Sequence, residues 1–379
     1  MSISAEAATK ERYAAASAAV EANLCCPVDY DPQYLKAIPQ EVIDRDYGCG
    51  DPSKWLKKGE TVLDLGSGTG KICFIASQVV GSEGRVIGVD MTDDMLDVAR
   101  KYAPEVATNI GHSNVEFRKG RIQDLALDLE QLNKQISAQP INSVEGLLAI
   151  EETAKSLRKD QPMIPDNSID VVVSNCVLNL VEQDQKKQLF SEIFRVLKKG
   201  GRAVISDIVS DEEIPQHLQD DPELWSGCIS GAYTETGFLD AFAEAGFYGI
   251  EVVKFESDPW QTVEGIEFRS VTVQAWKGKQ GPCMERNQAV IYQGPFSAVE
   301  DDDGHCYERG QRVAVCEKTF NLLGKAPYKD FFQQIEPLTP IPAAEAQPFD
   351  CSHDTLRTPR ETKGLDYRET VTCGPEGCC

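Results

Sequence analysis

A mostly parallel α/β sheet with helices on both faces is the fold this sequence predicts, and three observations predict it. Short apolar runs alternate with segments of helical spacing between residues 61 and 207, the signature of β-α units in one sheet. A glycine loop, Gly66-Ser67-Gly68-Thr69-Gly70, follows the first run and opens a helix. The run at 169–174 is strongly apolar and β-branched, as a strand buried on both faces must be.

The elements follow in order. Residues 5–24 alternate alanine with charge and predict one helix. It stops before Cys25-Cys26-Pro27, because proline disfavours a helical residue before it. Strands are expected at 61–65, 85–90, 114–118, 169–174 and 202–207, and helices at 71–80, 93–102 and 185–197. Lys198-Lys199-Gly200-Gly201 supplies the cations and glycine of a helix stop. A long polar insertion spans 128–165, with a surface helix expected at 143–158. Beyond Asp207 the pattern is irregular until a helix at 235–245 and two strands at 249–255 and 267–276, read as an antiparallel pair. Residues 278–282 read as a linker, 283–335 as a small β-rich domain, and the proline-rich stretch from Pro337 as a loosely ordered tail.

The 379 residues suggest two or three domains. A net charge of −23 repels phosphate backbones and anionic lipid, which argues against nucleic acid and membrane partners. No apolar run approaches a membrane span, and the first residues lack a signal-peptide core. A cytoplasmic location is therefore expected, and the chain is taken as a monomer. The 13 cysteines are the anomaly. A reducing cytosol argues against a disulfide framework, and a chain of this length buries a core without staples.

The glycine loop is neither a phosphate loop nor a nicotinamide fingerprint. Ile72 follows Lys71 where a phosphate loop needs serine or threonine, and the glycines recur at every second position. Asp64-Leu65-Gly66-Ser67-Gly68-Thr69-Gly70 instead resembles motif I of the class I S-adenosylmethionine (SAM) methyltransferases. Asp90 ends the second strand, 20 residues after Gly70, where a carboxylate can accept both ribose hydroxyls. Met91 is expected against the adenine, and Ile122 and Gln123 at the adenine edge. Tyr47 and Asn175 complete the expected cofactor set with Asp64, Gly66, Ser67, Gly68 and Gly70.

Ligands of open α/β sheets bind outside the carboxyl ends of the strands. Cys176 directly follows the 169–174 strand, Cys228 lies in the irregular region after the fifth strand, and Cys49 precedes the first. Here the sequence resembles the arsenite SAM methyltransferases. The resemblance is carried by Asp46-Tyr47-Gly48-Cys49-Gly50, the 64–70 loop, Gly88-Val89-Asp90-Met91-Thr92, SIDVVVSNCVLNL at 168–180 and DPELWSGCISG at 221–231. It covers most of residues 23–280 and continues more faintly beyond.

The resemblance implies a Rossmann-like fold with a mostly parallel seven-stranded sheet and a smaller C-terminal β-rich domain. It implies trivalent arsenic bound by Cys176 and Cys228, with Cys49 as third thiol. It also implies that Cys25 or Cys26 pairs with Cys49 during redox cycling, with thioredoxin or glutathione as reductant and arsenite or methylarsenite as substrate. The expected division is an N-terminal segment to 45, a cofactor domain at 46–208, a substrate region at 209–278 and a cysteine-rich domain at 283–379. Thiolates are the natural ligands of a soft, thiophilic ion.

Cys73 reads as a buried structural thiol, and Ile72 stands where the family often has an acidic residue. Seven cysteines lie beyond residue 280. Cys306, Cys316 and His305 are a candidate zinc set without the spacing of one. The terminal Cys378-Cys379 pair suits arsenic capture, or is simply an exposed tail. Two alternatives stay open at this point: a related methyltransferase acting on carbon or sulfur with Cys176 structural, and a non-catalytic thiol-rich metalloid binder.

Overall fold

The computed structural model describes Arg12 and residues 28–45, 47–352 and 355–363. The helix expected at 5–24 and the thiols Cys25, Cys26, Cys373, Cys378 and Cys379 lie outside the described residues, Arg12 excepted. The chain divides into two compact units, one ending at Gly278 and the other beginning at Lys279.

The first unit is built on β1 (Thr61–Leu65), β2 (Arg85–Asp90), β3 (Val115–Lys119), β4 (Ile169–Asn175), β5 (Leu197–Ser210), the two-residue β6 (Tyr233–Thr234), β7 (Tyr248–Phe255), β8 (Gln261–Val263) and β9 (Ile266–Trp276). The main path runs β3-β2-β1-β4-β5-β9-β7. Strands β1 to β5 pair in parallel, and β9 runs antiparallel between β5 and β7. The strand order reverses between β1 and β4, which opens a crevice at their carboxyl ends.

Helices α1 (Lys71–Val80), α2 (Asp93–Ile110), α3 (Leu129–Ala138), α4 (Val144–Asp160), α5 (Lys186–Val196) and α6 (Glu235–Glu244) accompany the strands. Two apolar layers sandwich the sheet. One joins Leu63, Leu65, Val172 and Ile205 to the α5 and α6 aromatics Phe190, Phe238 and Phe242. The other joins Val62, Val171 and Val173 to Phe74 and Ile75 of α1 and Leu96 of α2. Alternate residues of β4 face opposite layers, which is why the run at its centre is apolar without a break.

Several expectations change. Helix α2 continues past Pro104 to Ile110; Val106 packs in the core, and that burial outweighs one missing N–H donor. Gly111, at φ 81°, ends it. Strand β5 starts at Leu197, opposite Ile169 of β4, and ends at Ser210, because β9 continues alongside it from Arg202 to Ser210. Strand β8 was not expected. A tight turn at Glu264 and Gly265, both at positive φ, folds it back on β9.

The insertion forms two helices rather than one. Asp128 caps α3 by accepting from Glu130 N and Gln131 N, and Ser143 caps α4 by accepting from Gly146 N. Arg158 of α4 forks onto both Asp124 oxygens, at 2.8–3.2 Å, which ties the insertion to the segment after β3.

The second unit contains β10 (Met284–Glu285), β11 (Ala289–Tyr292), β12 (Ala298–Glu300), β13 (Cys306–Glu308), β14 (Arg312–Ala314), α7 (Glu317–Leu323), β15 (Phe332–Ile335), β16 (Gln347–Pro348) and β17 (Thr355–Leu356). Its largest sheet runs β15-β11-β14-β17 over a core of Val290, Tyr292, Tyr307, Val313, Phe320 and Phe332. The stretch from Pro337 is therefore not a loose tail as far as Lys363. Strand β16 pairs with β10, β17 pairs with β14, and Pro359–Lys363 is helical. Backbone pairing with a preceding sheet holds this polar sequence, a cause that composition does not reveal.

Candidate active site

The glycine loop leaves β1 and is pinned to β2. Gly66 N and Ser67 N both donate to Val89 O, at 2.8 and 3.1 Å. All three loop glycines lie at positive φ, so the backbone turns without a steric penalty before α1 begins. A side chain on Gly66 would strike the Val177 methyls at 2.5 Å. One on Gly68 would meet no protein atom within 4 Å, because that position faces a cleft.

The cleft has about 1060 Å³ of empty space. Its wall includes Tyr47, Asp64, Gly66, Ser67, Gly68, Asp90, Met91, Ile122, Gln123, Asn175 and Cys176. Gly70, expected with them, is absent from that wall. It starts α1 at φ 91°, and a Cβ there would lie 2.7 Å from the Phe117 ring. Thr69 and Thr92, which belong to the two quoted loop motifs, also line the cleft, as do Val181 and Glu182, which no sequence signal marks.

At the floor, Asp90 Oδ2 accepts from Gly68 N at 2.9 Å and Oδ1 from Thr92 N at 2.8 Å. Burial pushes its carboxyl above the usual range, and these N–H donors oppose the push. Ser67 Oγ is buried on the same wall and has no hydrogen-bond partner. An orphaned hydroxyl costs about 1–3 kcal/mol, which a bound polar ligand would recover. A nucleoside with a cis-diol and a charged amino-acid arm fits this donor set. Changing Asp90 to alanine is expected to weaken SAM binding by about 1–3 kcal/mol; unchanged affinity by calorimetry would refute the role.

Asp64 is buried, and its Oδ2 accepts the Cys73 thiol at 3.2 Å. Burial, and then the Asp64 charge, hold Cys73 well above its ordinary pKa. It is a neutral structural thiol.

The cysteines beyond the cleft meet through tertiary contacts. Cys49, Cys176 and Cys228 share a buried cluster with Ile208, Ile229 and Phe268. The ligand atoms of Cys49, Cys176 and Asp207 lie within 4.8 Å of one another. Cys228 is drawn aside: its Sγ donates to the Cys176 carbonyl at 3.2 Å. Cys176 and Cys228 both stand in the left-handed region, at φ 62° and 63°. That conformation is uncommon for residues with a side chain, and such outliers cluster at functional sites.

The two cysteine motifs interlock. Asp221 caps the short helix Pro222–Ser226 by accepting from Glu223 N and Leu224 N. Asn179, from the motif that bears Cys176, donates to the Ile208 and Cys228 carbonyls at 2.7 and 3.2 Å. Lys186 is buried and donates to Gly231 O. Burial lowers its pKa to about 8, against the pull of Asp207.

Asn175, expected to bind cofactor, has its amide fully engaged within the protein. Its Oδ1 accepts from Cys49 N and Gly50 N at 2.9 and 3.0 Å, and its Nδ2 donates to Gly50 O and Tyr30 Oη at 2.8 and 3.2 Å. It clamps the Cys49 backbone beside Cys176. A Cβ on Gly48 would fall 2.1 Å from Asn175 Nδ2. Gly48→Ala is therefore expected to cost about 1–3 kcal/mol of stability by overpacking and to displace Cys49. Thermal unfolding and arsenite titration measure the two effects.

Asp207 is the residue that sequence reasoning missed. Burial pushes its carboxyl up to about 6, opposed by N–H bonds from Ile208 and Leu178 and by the Lys186 charge. Its place at the end of the strand expected at 202–207 was the one signal the sequence offered.

The fold and the cleft define a SAM-dependent methyltransferase. A methyltransferase-domain family matches residues 56–164 and 159–246, and a family described as a domain of unknown function (DUF8838) matches 279–367. An arsenite methyltransferase of Aquipseudomonas alcaligenes is 31% identical over 335 residues, 84% of this chain and 86% of that one. The mouse arsenite methyltransferase is 28% identical over 384 residues, 96% of this chain and 92% of its own. A crystal structure of CrArsM, an arsenic(III) S-adenosylmethionine methyltransferase from Chlamydomonas reinhardtii, superposes with a TM-score of 0.55 at 26% identity, covering 86% of this chain and all of that one. The chain belongs to the arsenite methyltransferase family. Among the described residues, no helix is long and apolar enough to cross a membrane.

Proposed function

We propose that this chain transfers methyl groups from SAM to trivalent arsenic held by Cys49, Cys176 and Cys228. The observation that carries the reading is the position of Cys176, which belongs both to the wall of the cofactor cleft and to the buried thiol cluster. An arsenic atom on its sulfur would border the cleft.

Arsenite condenses with three thiols to give three arsenic–sulfur bonds and three waters. No electrons move. Each thiol loses its proton on coordination, so Cys228 gives up its bond to the Cys176 carbonyl when it becomes a ligand. Asp207 stands beside Cys49 and Cys176, and a carboxylate of pKa about 6 accepts a thiol proton near neutrality.

SAM, when bound, supplies an electrophilic sulfonium methyl group. Asp90, Ser67 and the loop backbone orient it, and the clamp of Asn175 on the Cys49 segment fixes one thiol. Such positioning is worth roughly 7–11 kcal/mol where a near-attack geometry is reached. The three-coordinate arsenic keeps one lone pair, so its methylation needs no general base. Gaining a methyl cation takes arsenic formally from the trivalent to the pentavalent state. Two electrons then restore it, supplied by two thiols that close a disulfide, with Cys49 and Cys25 or Cys26 as the pair. An external thiol, thioredoxin or glutathione, reopens it.

Incubation of the purified chain with SAM, thiol and arsenite, followed by chromatographic separation of arsenic species, tests the reading. Methylated arsenic is the expected product. Turnover of a carbon or sulfur acceptor without it would overturn the proposal.

A further inference from the structure

The C-terminal unit holds a second set of converging thiols. The sulfurs of Cys283, Cys316 and Cys351 all lie within 4.8 Å of one another. They come from three separate places: the segment before β10, the residue that caps α7, and the segment after β16. Backbone bonds hold them together. Phe349 N donates to the Cys283 carbonyl at 2.8 Å, and β16 pairs with β10. Cys316 is buried, while the other two are half-buried. Cys316 and Cys351 also line a small cleft with His305 and Phe349.

The surroundings favour the thiolate at one of the three sulfurs, Cys283. Burial alone would raise the Cys283 thiol, but hydrogen bonds with Cys351 and Cys316 and the Lys318 ammonium hold it below its ordinary pKa. Burial, and then the bond to Cys283, push Cys351 upward. Thr319 N donates to Cys316 Sγ at 3.4 Å.

No fourth ligand accompanies the three thiols among the described residues. His305 lines the same cleft as Cys316 and Cys351, yet both ring nitrogens are engaged. Its Nδ1 contacts the Asp301 carboxylate at 3.0–3.1 Å, and its Nε2 contacts the Cys351 carbonyl at 3.0 Å. Both partners are acceptors, so both ring nitrogens are already occupied by contacts other than the sulfurs. Cys306 lies on β13 opposite Glu300, outside the cluster. Cys306, Cys316 and His305, which lack the spacing of a zinc site, do not form a converging group either. A structural zinc ion takes four ligands in a tetrahedron, whereas a trivalent soft ion is satisfied by three thiolates.

We propose that Cys283, Cys316 and Cys351 form a second binding site for trivalent arsenic, a three-thiolate site within the C-terminal unit. Arsenite enters by the same condensation, three thiols for three waters, with no change of oxidation state. Lys318 stabilises the thiolate that attacks first. The assignment does not depend on which thiols serve catalysis.

Sodium arsenite is the probe. The reduced full-length chain is dialysed against it, and bound arsenic is counted by elemental analysis. Cys316→Ser is the decisive variant, because serine caps a helix at least as well as cysteine does and leaves the fold intact. Bound arsenic is expected to fall by one equivalent in Cys316→Ser and in Cys351→Ser, and to stay unchanged in Cys306→Ser. In a chain where every cysteine except Cys73, Cys283, Cys306, Cys316 and Cys351 is serine, X-ray absorption is expected to show arsenic with three sulfur neighbours. Unchanged stoichiometry in Cys316→Ser, oxygen in the arsenic shell, or a zinc ion that co-purifies and is lost in Cys316→Ser would each overturn the proposal.

Discussion

Serine in place of Cys176 is expected to abolish arsenic methylation, with activity down by more than about 10²-fold, since even a misplacement of about 1 Å costs that much. The fold is expected to survive. Serine meets the same left-handed backbone at φ 62°, and the Cys176 N–H still donates to Ser206 O at 2.8 Å. Unchanged thermal unfolding together with lost turnover assigns the effect to the sulfur. Cys73→Ser is the internal control. Its thiol only donates to Asp64, a bond that a hydroxyl can make, so activity is expected to persist. A Cys176→Ser enzyme that still methylates trivalent arsenic would remove the ligand assignment and favour a carbon or sulfur acceptor.

Cys49→Ser should separate two substrates. Methylarsenite already has one bond occupied, so Cys176 and Cys228 complete its coordination. Arsenite needs a third thiolate. The variant is expected to lose arsenite methylation while keeping a first turnover on trivalent methylarsenite. The same pattern follows if Cys49 acts only by closing a disulfide with Cys25 or Cys26. Direct arsenite titration distinguishes the two: lost binding assigns a ligand role, and normal binding with failed turnover assigns a redox role. Parent-like binding and methylation of arsenite would exclude both. Asp207 gives the titration an internal reference. Its carboxylate is near the Cys49 and Cys176 ligand atoms and remains available in the variant, so any loss of affinity belongs to the missing sulfur.

Much of the fold was legible because it rests on short-range pattern. Strands β1 and β2 and helix α1 run as the alternation of apolar residues and glycine predicts, since period, cap and turn chemistry act within a few residues. Helix α3, the hairpin of β8, and the strands after Pro337 were not legible. The strands after Pro337 pair with partners far along the chain, β8 is only three residues long, and α3 has a weak apolar face. Helix α3, for example, buries no residue fully.

The sequence by itself determined the cofactor crevice and the family. The glycine loop with Asp90 at its sheet end, and the two cysteine motifs, are local strings whose chemistry does not depend on what packs around them. Only the tertiary structure decided what surrounds the sulfurs. Asn175 reached back to the Cys49 segment, Asp207 came beside two thiols, Cys228 turned its sulfur to a carbonyl, and Cys283, Cys316 and Cys351 converged from positions more than thirty residues apart. The reason is physical. Hydrogen bonds and thiol clusters between distant residues are set by strand register and loop closure, which local sequence pattern constrains only through the whole fold.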